Sequence, residues 1–146
     1  HILISTRGIF VIETKHYSGW IFANSLSKLW CQTIYKTKNK FQNPLRQNYK
    51  HIKVLQELLG FLEPSFFNNI VVFTGQAKFK CTKPKNVFYT HELIPAIEQY
   101  PENVISLNRV QFCLGRLEYY RMEISQKTDI EHTKSLTQRF GQDNMN

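Results

Sequence analysis

Apolar positions in the first third of the chain come in short runs separated by turn residues. Ile2-Leu3-Ile4-Ser5 is one such run, and Thr6-Arg7-Gly8 ends it with a turn signal. Ile9-Phe10-Val11-Ile12 follows, β-branched and aromatic as a central buried strand would be. Polarity then breaks in with Glu13-Thr14-Lys15-His16, and Ser18-Gly19 closes the strand. Two runs joined by a tight turn predict a β-hairpin. Trp20-Ile21-Phe22 and Trp30 to Tyr35 read as further strands, the second followed by the basic run Lys36-Thr37-Lys38-Asn39-Lys40.

Helical spacing takes over at Asn43. Asn is a good N-cap, and Pro44 suits the first helical position, where its missing N–H costs nothing. Leu45, Tyr49, Ile52, Leu55 or Gln56, and Leu59 then recur at helical intervals, with Gly60 as the stop. Val54 and Leu58 extend the apolar surface sideways, which predicts a helix covered on two faces. Arg46, Lys50 and Lys53 fall on one exposed stripe.

Further on, Ile70-Val71-Val72-Phe73 is wholly apolar between Asn68-Asn69 and Thr74-Gly75, a second buried strand, with Val87-Phe88-Tyr89 as a short partner. Thr90 is placed to cap a small helix through Ile97, with Glu92 in its first turn. Residues 106–123 read as another helix, interrupted by Gly115. From Ser125 the chain turns polar, leaving Leu136 and Phe140 as apolar anchors of a frayed or partner-binding tail. The order predicts an α/β fold, a mixed sheet flanked by helices, with a domain over 1–124 and a polar tail over 125–146.

Composition supports a packed domain: 42% hydrophobic, 14% aromatic and 21% charged residues are globular proportions. No run nears the roughly 18 apolar residues of a membrane span. Three widely spaced cysteines, Cys31, Cys81 and Cys113, disfavour a disulfide framework or a Cys-x-x-Cys zinc site, and reduced cytoplasmic thiols are the simplest reading. The chain opens at His1 inside an apolar stretch, without an initiator Met or signal segment, as a fragment would.

Charge changes the picture more. Residues 1–56 hold nine Lys or Arg and one acid, Glu13, whereas 57–146 hold ten of each sign. The whole net charge of +8 therefore lies in the first 56 residues. Such a one-sided field suits a polyanion, nucleic acid or an anionic membrane surface; a basic surface kept for solubility is the plainer alternative. Aromatics Trp20, Phe22, Trp30, Tyr35 and Phe41 interleave with these cations, as core packing or as stacking surfaces for bases.

Glu13 and Lys15 stand two apart in a strand, so both side chains leave one face. A carboxylate is the hard oxygen ligand that Mg²⁺ prefers, and a neighbouring lysine can offset charge on a phosphate. As a bare pattern, Glu-x-Lys equally describes a solvated ion pair. Gln47 and His51, one helical turn apart, share a face beside the basic stripe.

Gly8 to Lys15 followed by Tyr17-Ser18-Gly19 resembles the nuclease-related domain (NERD) family, placed in the PD-(D/E)xK nuclease superfamily. Phe41-Gln42-Asn43-Pro44, Gln47-Asn48, His51 and Val71-Val72-Phe73-Thr74-Gly75 continue the resemblance in order, over roughly residues 1–100. It implies a restriction-endonuclease-like core, dependence on Mg²⁺ (or Mn²⁺) and action on DNA phosphodiesters. Position by position it implies Glu13 as metal carboxylate, Lys15 as catalytic lysine and Gln47 as the polar residue reaching the site from the following helix. From the charge pattern, Lys36, Lys38, Lys40, Arg46, Lys50 and Lys53 are the residues expected to contact DNA phosphates, with a solvated helix face as the plainer reading of the stripe. Two departures stand out. The family's first metal-binding Asp would fall immediately before His1, with a further acidic residue upstream, and position 16 is His in place of Asn. The 146 residues are therefore expected to hold part of a metal site and to cut poorly by themselves. The alternatives are a non-catalytic nucleic-acid-binding module and a protein-interaction domain.

Overall fold

The computed structural model describes residues 1–142, with side chains through residue 135. The chain forms two compact units, residues 1–110 and the segment from Gln111 on. The α/β expectation holds for the first unit, but its strands divide between two mixed four-stranded sheets.

The first sheet begins with the expected hairpin of β1 (Ile2–Ser5) and β2 (Gly8–His16), paired antiparallel. Arg7, at its turn, is not a free cation: its guanidinium donates to the Glu98 and Tyr100 carbonyls and pairs with Glu102. β6 (Phe67–Thr74) lies parallel to β2, and β8 (Val87–Tyr89) parallel to β6. Ile9, Phe10, Ile70 and Val71 have no exposed surface, as expected for a sheet buried on both sides.

The second sheet orders its strands β5-β4-β3-β7. β3 (Gly19–Phe22) and β4 (Leu29–Ile34) match the expected strands. The basic run is itself a strand, β5 (Thr37–Gln42), and β7 (Ala77–Phe79) is an addition that too short an apolar run concealed. The sheet's inner face carries Ile21, Trp30 and Ala77, which pack with Val71 and Phe73 of the first sheet. Gly19 has φ +79, and a Cβ there would lie 2.4 Å from the Thr33 carbonyl oxygen, so the β2–β3 turn admits only glycine.

Helix α1 (Pro44–Leu58) starts as its sequence predicts. The Asn43 side-chain oxygen accepts from the Leu45 N–H at 2.9 Å, while its amide donates to the Ser25 and Ser27 carbonyls. The inward row is Asn48, Ile52, Leu55 and Leu59 rather than one containing Tyr49. Tyr49 and Val54 are exposed, so α1 is buried on one face, not two. Thr90 belongs to a 3-10 turn, Thr90–Glu92, whose N-cap is Tyr89; Glu92 accepts from the Tyr89 N–H, and α2 (Leu93–Glu98) follows.

Helix α3 (Leu107–Gln142) starts as expected, with the Ser106 hydroxyl accepting from the Arg109 N–H. It runs on well past residue 123. Gly115 sits in open space, where glycine costs only about 1 kcal/mol relative to Ala. The polar stretch after Ser125 is helical through Gln142, and pairs such as Lys127–Glu123 at 3.1 Å support it. The side chains of Leu136 and Phe140 lie outside the described residues.

Candidate active site

The polar end of β2 lies under one flank of α1. Glu13 and Lys15 leave the same face of the strand, and the Lys15 ammonium sits 3.0 Å from the Glu13 carboxylate. It also donates to the Gln47 side-chain oxygen at 2.9 Å. Residues 13, 15 and 47, read from the sequence as one group, are thus in direct contact. Both charged side chains retain only about a fifth of their exposure (20% for Glu13, 19% for Lys15). An ammonium has three N–H donors. Two are committed to Glu13 and Gln47, and a third remains for an incoming oxygen.

The scaffold under this group is made of amides. Asn48 is fully buried, and the two hydrogens of its Nδ2 are shared among the Val11 carbonyl at 2.6 Å, the Asn69 side-chain oxygen at 2.8 Å and the Ile70 carbonyl at 3.2 Å. Asn69 in turn donates to the Leu45 carbonyl at 2.8 Å. The two asparagines tie α1 to both β2 and β6, and this fixes where Gln47 projects. Sequence reasoning placed Asn48 in a motif but gave it no task. The row 48-52-55-59, polar at its head and apolar below, is the signal that reveals it.

A recess of about 360 Å³ opens beside Glu13, with Asn48, His51, Val11 and Leu55 in its walls. His51 is exposed and shares this recess. On the other side of the site, His16 Nδ1 lies 3.0 Å from the Thr74 hydroxyl, and the Tyr17 N–H donates to the Thr74 carbonyl. Gly75, at φ +84, passes so close that a Cβ would lie 2.6 Å from the Tyr17 carbonyl oxygen. The close approach at the paired ends of β2 and β6 therefore requires glycine at position 75.

The nuclease-related domain family pattern matches residues 1–74, which hold Glu13, Lys15, Gln47 and the Thr74 contact. The chain belongs to this family. Its general assignment to the PD-(D/E)xK nuclease superfamily agrees with the mixed α/β architecture around β2. The NERD chain is also similar to an uncharacterized protein of Bacillus anthracis, 36% identical over 146 residues. That match takes in 96% of this chain and 66% of the relative, so the chain spans about two thirds of the relative's length. No solved structure matches it.

The six basic residues expected at a DNA interface divide between two elements of the NERD fold. Lys38 and Lys40 project from β5, with Lys36 in the turn before it. Arg46, Lys50 and Lys53 line the outer side of α1, where Arg46 donates to the Leu26 carbonyl at 3.0 Å and Lys53 lies 5.1 Å over the Tyr49 ring. Of the aromatics that interleave with them, Trp30 and Phe41 pack inward, whereas Trp20 and Phe22 remain exposed.

Proposed function

We propose that this domain is the catalytic part of a metal-dependent DNA nuclease, hydrolysing phosphodiester bonds at the Glu13–Lys15–Gln47 group. The observation that carries the reading is the double anchoring of Lys15, whose mostly buried ammonium is held between the Glu13 carboxylate and the Gln47 side-chain oxygen. Family membership supplies the nuclease-related context.

Among the described residues no three His, Cys, Asp or Glu side chains gather into a metal cage. Mg²⁺ does not need one, since it takes one or two carboxylates and keeps several waters. The donor set fits such an ion, with Glu13 as one hard oxygen ligand. The register indicates where a second would come from. His1 and Ile12 exchange both backbone hydrogen bonds, at 2.7 and 2.8 Å. A residue preceding His1 would therefore continue β1 opposite Glu13, in the closer, non-hydrogen-bonded type of pair, with Cβ atoms about 5 Å apart. That is the position at which the resemblance expects Asp. When bound, the ion would polarise a phosphoryl oxygen and activate water. Lys15 would offset charge on the phosphate, and Gln47 would hold Lys15 in place.

Cleavage of plasmid and linear DNA tests this reading, with Mg²⁺ against chelator, in the 146-residue chain and in the protein with its upstream segment. We expect Mg²⁺-dependent cutting from the longer form and little from the shorter. Robust cutting by the shorter form would show that the metal ligands are wrongly assigned. DNA binding without cutting by either would favour a non-catalytic module.

A further inference from the structure

The second sheet presents an outer face assembled by register from all four strands. Trp20 of β3 is paired with Thr33 on one side and Lys78 on the other, and Thr33 with Lys38. The next row on that face runs Phe22, Cys31, Lys40. Lys80, just past β7, brings its ammonium 5.1 Å over the Trp20 ring. Two aromatic rings on an interior strand are thus flanked by lysines from both edges. Trp20 is 50% exposed and Phe22 41%. Between the rings and Lys38 and Lys40 stand the small side chains Cys31 and Thr33. None of the four strands contains Asp or Glu.

Isolated exposed apolar side chains are ordinary. A Trp and a Phe two residues apart on one sheet face, ringed by four lysines and no acid, are a different matter. Their positions are separated by two strand steps, roughly 7 Å. That is about twice the 3.4 Å repeat of stacked bases in a duplex strand. A duplex hides its base faces. An extended single strand offers one base to each ring while its phosphates pass the lysines. A recess of about 350 Å³ between Phe22, Leu29, Cys31 and Lys40 has room for a nucleotide at the end of this track. Beyond it the Leu29–Gln42 pair leads into a groove of about 710 Å³ that holds Lys28, Arg46 and Lys50.

We propose that the outer face of this sheet, centred on Trp20 and Phe22 between Lys38, Lys40, Lys78 and Lys80, is a stacking platform for single-stranded DNA. The choice of DNA rests on the nuclease reading above; the stacking and the charge do not. The platform would give that reading a substrate form, DNA with an unpaired segment.

The test is a titration of the chain with an oligothymidylate of about 12 nucleotides, in chelator, followed by tryptophan fluorescence. Trp30 is buried, so quenching reports Trp20. We expect quenching, and a Kd raised about tenfold by Trp20→Ala (read by competition) or by Phe22→Ala, in the range of one lost base–aromatic stack. Lys38→Glu with Lys78→Glu should weaken binding and flatten its salt dependence. These side chains are exposed, and circular dichroism checks that each variant folds. Absent binding, unquenched binding, or an unchanged Kd in the Trp20→Ala/Phe22→Ala double variant would overturn the platform. So would equal competition by a duplex of the same length or by polyglutamate. Because chelator removes metal-dependent cleavage, the two proposals fail separately: cutting without quenching removes the platform, and quenching without cutting by the longer form removes the nuclease.

Discussion

On the first sheet, the side chains around the candidate active site are held by one another. Lys15 is fixed by Glu13 and Gln47, Gln47 by the position of α1, and α1 by Asn48 and Asn69 bonding to β2 and β6. On the outer face of the second sheet, Trp20 meets Lys80, and its neighbouring lysines project from edge strands into solvent. Both regions carry cations, yet one is preorganised and the other open. Chemistry on a phosphate benefits from groups that need not rearrange as charge develops. Holding a chain of bases benefits from exposed rings and mobile charges that tolerate any sequence. The difference assigns separate tasks to residues that composition alone lumps into one basic half.

The sharpest way to break that division is Lys15→Ala in the protein carrying its upstream segment. We expect cleavage to fall at least about a hundredfold, as when one group stabilising transition-state charge is lost, with oligothymidylate binding unaltered. Stability should shift by only about 1 kcal/mol, since the pair retains some solvent. Single-turnover cleavage and a parallel binding titration measure both. Equal losses of cleavage and of binding would show that the two regions are not distinct.

Asn48→Ala probes the scaffold rather than the reacting group. It strips the Val11 and Ile70 carbonyls and the Asn69 side chain of a donor inside the protein, so we expect a loss of about 2–4 kcal/mol in denaturant unfolding. Cleavage by the folded fraction should also drop, because Gln47 and Lys15 lose their alignment. A cost below about 0.5 kcal/mol would mean that water replaces the amide readily and that the site is less rigid than argued.

Neutralising Arg46, Lys50 and Lys53 together sharpens the comparison on the binding side. Each phosphate contact adds about 0.9 to the slope of log affinity against log salt. Arg46 is tethered to the Leu26 carbonyl and Lys53 lies over Tyr49. Lys50, in the groove with Lys28, is the freest of the three. We therefore expect the slope to fall by one to two contacts rather than three. An unchanged slope would confine DNA to the sheet face and leave the α1 stripe to solvent.

Much of this was legible in the sequence, and the failures have physical reasons. The hairpin, the buried strands and the Asn43 cap follow from local chemistry: β-branched runs, turn residues and a side chain that satisfies an orphan N–H. The grouping of Glu13, Lys15 and Gln47 was legible through the family resemblance. Periodicity puts Asn48 at the head of the row 48-52-55-59, but it could not show what the buried amide bonds, because its partners are strand carbonyls distant in sequence. Nor could it separate Trp20 from Trp30. Both lie in β strands, and only the pairing of β3 with β4 and β7 decides which ring points to the core. The lysine run concealed β5 because an edge strand solvated on both faces, with only Phe41 turned inward, does not look apolar. The tail after Ser125 reads as frayed or partner-binding because a solvated helix has no apolar stripe to announce it.

The smallest expected effect lies on neither surface and so serves as the control. The Lys83 ammonium, hydrogen-bonded to Glu92, holds that carboxyl below the usual glutamate range; partial burial pulls the other way, and the Tyr89 N–H adds to the lowering. A carboxylate whose pKa is lower in the folded state stabilises the fold above the unfolded value, about 4.3, and loses that contribution as pH falls through the folded value. Glu92→Gln should therefore cost at most about 1 kcal/mol near neutral pH, given that the pair is a third exposed on the glutamate side. The gap between parent and variant in thermal unfolding should stay level down to about pH 5 and close as the pH falls below the unfolded value of about 4.3. Oligothymidylate binding and cleavage should not change. A gap that persists unchanged to pH 3 would mean that Glu92 acts through its hydrogen-bonding shape at the head of α2 and not through its charge.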